Sequence, residues 1–205
     1  KIIELEAAQS ELVKKERMER ELELAREVQQ RLLPREFPRL PGFIVAARNQ
    51  PARQVGGDFY DVIVLDADHF GLVIADVSDK GMPAALYMGL SRSIILAEAH
   101  RILSPRRTLE NVNRLLLELG DLNGFVSVFY GVVEVSTHIL RYTRAGHEKP
   151  WLLRLNGLLS ASIQLSGSGM VLGVMEGEQL NLTEEELVLA SGDRLVLYTD
   201  GMTDV

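Results

Sequence analysis

One stretch limits the possible folds of this chain more than any other. Gly71-Leu72-Val73-Ile74-Ala75 is a short, β-branched apolar run of the kind that forms a buried strand. It stops at an acidic segment, Asp76-Val77-Ser78-Asp79-Lys80-Gly81. A helical pattern then runs from Met82 to Leu103, with Pro83 tolerated in its first turn. Asp76 therefore stands where a strand gives way to a loop. Two further stretches place Asp beside Gly at the edge of an apolar run: Gly56-Gly57-Asp58-Phe59-Tyr60-Asp61 and Tyr198-Thr199-Asp200-Gly201-Met202-Thr203-Asp204. Hard divalent cations need several carboxylates held by a rigid frame. The expectation is that Asp58, Asp76 and Asp200 converge on a metal site. The competing reading is that each Asp caps a helix or turn through its own side chain.

The remainder of the chain sets the architecture. Residues 1–33 contain no Gly, Pro or aromatic residue and are rich in Glu, Leu, Arg and Lys. Ile2, Leu5, Leu12, Met18, Leu22, Ala25 and Leu32 follow a rough three/four spacing that slips between Leu12 and Met18, with polar Gln9 and Gln29 at seam positions. This predicts a long helix. It either packs on its own domain or dimerises and links to an upstream domain. Leu33-Pro34 ends it, and Pro34, Pro38 and Pro41 stiffen the connection. Strands are expected at Phe43–Ala47, Asp58–Leu65, His69–Val77, Phe125–Val135, His138–Ala145, Trp151–Leu155, Gln179–Ala190 and Arg194–Tyr198. A second helix opens at Ser104-Pro105 and runs to Leu119, and Gly120–Gly124 is a loop. Asn156-Gly157 signals a hairpin turn. Strands, two consecutive helices, then strands define an α+β fold. Two antiparallel sheets packed face to face, with the helix pair against one of them, would bury the doubly apolar strands.

Several functions are excluded. The chain has no cysteine, which removes disulfides, cysteine nucleophiles and cysteine zinc sites and fits a cytoplasmic location. No apolar run approaches the roughly 20 residues of a membrane span. The formal net charge of −7 argues against nucleic acid as a partner. Asp76-x-Ser78-x-Lys80-Gly81 fails as a calcium loop, because Lys80 and Tyr87 occupy ligand positions. Asp66-Ala67-Asp68 reads as a solvated hairpin turn, and Ser166-Gly167-Ser168-Gly169 as a flexible loop without the Lys-Ser/Thr of a phosphate cradle. His147 is either a general acid or a hydrogen-bonding residue of a turn. The chain begins at Lys1 and ends at Val205 in mid-pattern, as a fragment would.

These residues resemble a known family. Val55-Gly56-Gly57-Asp58-Phe59-Tyr60-Asp61 and Ala75-Asp76-Val77-Ser78-x-Lys80-Gly81-x-Pro83-Ala84-Ala85-Leu86 are similar to motifs of the SpoIIE/RsbU-like branch of the metal-dependent (PPM-type) protein serine/threonine phosphatases. So are Phe125 to Gly131, Ala145-Gly146-His147, Leu172-Gly173-Val174 and Gly192 to Thr203, and Ala25 to Pro34 looks like the helix that precedes that domain.

The resemblance implies an α-β-β-α sandwich over residues 34–205, C-terminally incomplete, preceded by a helical linker over residues 1–33. It implies two manganese or magnesium ions between the sheets. Asp76 would bridge both ions, the Val77 carbonyl would bind one, Asp58 would serve the second and Asp200 the first. A metal-activated water would then hydrolyse a phosphoserine or phosphothreonine on an anti-anti-sigma-type regulator. Control would come from an upstream sensor domain or regulator acting through the helix, which also offers a homodimer contact. The alternative of a different class is a catalytically silent signalling module of the same fold. Three positions depart from the pattern: Asp79 stands where Gly is usual, and Arg144 and Glu148 where Asn is frequent. The family's last metal-binding Asp would lie beyond Asp204.

Overall fold

The computed structural model describes residues 2–51, 54–120, 124–156 and 159–203. Helix α1 (Ile2–Leu32) runs unbroken because nothing in it opposes helix before Leu33-Pro34. Strands β1 (Phe59–Val64) and β2 (His69–Val77) form an antiparallel hairpin, followed by α2 (Met82–Ala99) and α3 (Pro105–Glu118). Then come β3 (Val126–Glu134), β4 (Ile139–Ala145), β5 (Trp151–Asn156), β6 (Leu159–Gln164), β7 (Glu184–Val188) and β8 (Arg194–Val196). Short 3-10 turns lie at Gly177–Leu180 and Asp200–Met202.

The strands make two antiparallel sheets, one in the order β1-β2-β3-β4-β7 and one in the order β6-β5-β8. Period-two alternation divides the larger sheet between two cores. Phe59, Ile63, Val73, Ala75, Val77, Val128, Tyr130 and Val132 face α2 and α3, meeting Met88, Ile95, Leu109, Val112 and Leu116. Phe70, Phe129 and Val133, with Val62, Leu72 and Ile74, face the smaller sheet, where Leu152 and Leu165 complete a second cluster. Phe129 stacks on Tyr142 with ring centroids 5.5 Å apart. Helix α3 starts on Ser104, whose hydroxyl accepts from the Arg107 N–H at 3.3 Å and donates to Glu184 of β7 at 2.6 Å. The α+β class, the paired antiparallel sheets and the leading helix are as expected. Among the described residues the helical layer covers the larger sheet, while Leu153 and Val196 of the smaller sheet stay exposed.

Some elements differ from expectation. Phe43–Ala47 is not a strand. Phe43 makes one bridge to Leu40 and packs its ring on Phe70 at 5.2 Å, while Ile44 is fully exposed, so the run is anchored by a single ring. Helix α2 ends at Ala99, ahead of Leu103, since Pro105 keeps Ser104 extended and α3 must start there. In Gln179–Ala190 only Glu184–Val188 forms a strand, because Asn181 turns left-handed at φ 47° after the 3-10 turn. Strand β6, whose polar Ser160, Ser162 and Gln164 hid it, pairs with β5 along its length. Gly157, residues 121–123, Asp204 and the side chains of Ile2 and Leu5 lie outside the described residues.

Helix α1 does not lie along its own domain. Leu12, Val13, Met18, Leu24 and Val28 are exposed, and the helix grips the domain near its C-terminal end. There Gln29 is buried and clasps Gly56 from both sides. Its side-chain N–H donates to the Gly56 carbonyl at 2.6 Å, and its oxygen accepts from the Gly56 N–H at 3.1 Å. No helix among the described residues is long and apolar enough to cross a membrane.

Candidate active site

The β1–β2 register pairs Phe59 with Ala75, and carried one residue further it sets Asp58 opposite Asp76. Strand alternation sends both carboxylates to the face that meets the smaller sheet. Ser127 of β3 lies opposite Asp76 on its other flank. Asp200 begins the 3-10 turn that follows β8 and is exposed beside them. Burial is the main reason the Asp76 carboxyl is pushed up to about 8, followed by a hydrogen bond shared with Asp58 and the negative charges of Asp58 and Asp200. Neighbouring carboxylates of this kind, one of them partly buried, are stabilised by a nearby cation. The three residues singled out in the sequence are thus brought together.

Val77, the buried residue after Asp76, explains one of the glycines. A Cβ on Gly57 would sit 2.5 Å from the Val77 carbonyl oxygen, so only glycine lets the two backbones approach. The loop beyond is held by Ser78, whose N–H donates to the Phe125 carbonyl at 2.9 Å and whose hydroxyl accepts from the Phe125 N–H at 2.8 Å. Asp79 is exposed at φ 83° and spends its carboxylate on the Lys80 N–H at 2.8 Å. It is a surface turn residue. Asp61, in the same motif as Asp58, faces the opposite side of the sheet and forms a buried ion pair with Arg92 of α2.

Four groups at the site were not legible beforehand. Thr199 donates its hydroxyl to Asp58 Oδ2 at 2.7 Å, a contact between residues 141 positions apart. Asn49 donates to the Asp58 carbonyl at 3.1 Å. Ser127 Oγ lies 2.9 Å from His147 Nδ1. Arg144 braces the segment, donating to the His147 carbonyl at 2.6 Å and to the Gly167 carbonyl. His147 is 4% exposed, and burial lowers its pKa to about 4, so the ring is neutral near pH 7. That state suits the hydrogen-bonding reading over the general acid.

A second acidic group lies at the far end of β2. Among the described residues, the ligating atoms of Asp68, His69 and Glu134 are the one set of three that comes within 4.8 Å. Hydrogen bonds account for much of it. Asp68 accepts from the Ser136 N–H and hydroxyl, and His69 contacts Asp66, as a tight turn requires. Asp58, Asp76 and Asp200 do not form such a set.

The fold matches that of PP2C-type phosphatases. The SiaA-PP2C domain of Pseudomonas aeruginosa superposes with a TM-score of 0.71 at 23% identity, over 91% of this chain and 73% of that one. The model of the stage II sporulation protein E (SpoIIE) family matches residues 66–205, and the chain belongs to that family. It is 32% identical to Protein IcfG of Synechocystis sp. (strain ATCC 27184 / PCC 6803 / Kazusa) and 31% identical to Phosphoserine phosphatase RsbU of Bacillus subtilis (strain 168), each over 90% of its length. It spans 32% of the first relative and 53% of the second.

Proposed function

We propose that this domain is a metal-dependent protein serine/threonine phosphatase acting on a phosphorylated regulatory protein of the anti-anti-sigma type, under control of α1. The observation that carries the reading is the placement of Asp58 opposite Asp76 on one face of a rigid sheet, with Asp200 beside them. The donor set fits hard cations: all-oxygen, with the Val77 carbonyl brought close by Gly57. Asp58, Asp76, Asp200 and the Val77 carbonyl would hold two manganese or magnesium ions. Such ions, when bound, activate water at neutral pH and neutralise phosphoryl oxygens. The protein's part is to fix these ligands on strand ends and to leave Asp200 facing the open side, where a phosphorylated side chain can approach. The phosphoserine specificity named for the RsbU relative supports a serine or threonine phosphoester. The clasp of Gln29 on Gly56, two residues before Asp58, supports control through α1.

Manganese-dependent phosphate release from a phosphoserine protein, beside an Asp76→Asn variant, tests this. Turnover that requires metal and falls by at least about a hundredfold in the variant is expected. Bound metal without turnover would leave a silent signalling module, and neither binding nor turnover would overturn the proposal.

A further inference from the structure

Each carboxylate expected to take metal has oxygens that must be aimed, and for Asp58 the aiming group comes from the other side of the molecule. Asp58 leads into β1 of the larger sheet. Thr199 follows β8 of the smaller one, one residue before Asp200. The Thr199 hydroxyl donates to Asp58 Oδ2 at 2.7 Å. That hydrogen bond commits one of the two carboxylate oxygens. It also couples the loop bearing Asp200 to the strand end bearing Asp58.

The loop itself is backed by His147. The ring is buried, and the Asp58 carboxylate and the Tyr198 and Ser127 backbones lie against it. Nδ1 contacts the Ser127 hydroxyl, in the strand that flanks Asp76. Nε2 is buried and has no hydrogen-bond partner among the described residues. Arg144 holds the His147 carbonyl, so the ring is fixed from its own backbone as well. The imidazole is thus tied by a hydrogen bond to the strand that flanks Asp76, and it packs beside Tyr198, the residue before Thr199.

We infer that Thr199 is a positioning residue for the metal centre: its hydroxyl orients Asp58 across the sheet interface. This rests on the metal-centre reading of Asp58, Asp76 and Asp200. Outer groups that orient ligating carboxylates change metal affinity by about 10–100-fold when removed. A structural threonine would leave affinity unchanged.

The test is manganese binding to the full 205-residue chain, followed by calorimetry and by the spin resonance of free Mn²⁺, without any activity assay. Thr199→Val keeps the shape and deletes the donor, and is expected to weaken binding about 10–100-fold. Thr199→Ser restores the hydroxyl and is expected to restore affinity. Thermal unfolding of the metal-free variants shows whether the fold is retained. Wild-type protein that binds manganese beside an equally tight, folded Thr199→Val overturns this inference alone. Failure of Thr199→Ser to recover binding while folded also overturns it. Wild-type protein that binds no manganese overturns the metal-centre reading, and this inference with it.

Discussion

Gly57 is the residue with the least room for change. A methyl group there must displace the carbonyl of Val77, the residue after Asp76. Gly57→Ala is expected to lower manganese affinity by more than about tenfold, measured by titration calorimetry. Asp79 shows the opposite tolerance. Its φ of 83° suits Gly or Asn and penalises β-branched side chains. Asp79→Val is expected to cost about 1–2 kcal/mol, read as a lower Tm, while Asp79→Asn changes little.

Asp76 and His147 give opposite pH trends in the metal-free protein. Asp76 holds its proton up to about 8 when folded, against an ordinary 3.8, so its folded state binds more protons and stability falls as pH rises through that interval. His147 titrates near 4 when folded, against 6.5, so the unfolded chain binds more protons between those values and stability rises with pH there. The two oppose each other up to about pH 6.5, and above it the Asp76 trend stands alone. Urea unfolding is expected to show stability falling from pH 6.5 to 8, and Asp76→Asn to abolish the fall. Asp58 and Asp200 were legible because each sits beside glycine at the edge of an apolar run, and Asp76 because it ends one. The role of Thr199 was not, since a hydroxyl's partner 141 residues away leaves no local pattern.

At the level of elements, the long periodic segments were readable and the short ones were decided by pairing. Strand β2 is apolar enough to be read directly, and its bounds agree. Strand β6 is half polar and exists because β5 offers it a full register. Phe43–Ala47 had strand composition but found no neighbouring edge. Gln29 was read as a polar flaw in a helical seam, yet it is the point where α1 holds the domain. Gln29→Ala leaves the N–H and carbonyl of Gly56 without their partner. It is expected to cost about 1–3 kcal/mol and to weaken metal binding, whereas Val28→Ala, on an exposed face, is expected to do neither. Chemical denaturation and manganese titration of both variants check this.

Taken whole, the molecule carries two cores, one between helices and sheet and one between sheets, and the acidic centre opens where the second begins. A cation at this site would compete with the proton that Asp76 retains, so manganese affinity is expected to increase with pH up to about 8, as titrations at several pH values would show. Manganese or magnesium is also expected to raise the Tm, and a chelator to reverse the rise. Helix α1 has a further consequence. Its 31 residues make a rod about 46 Å long, fastened near one end by a side chain that grips the backbone two residues from Asp58. A rod clamped in this way transmits torque. A turn imposed along the rod would reach the domain at Gly56, two residues before Asp58.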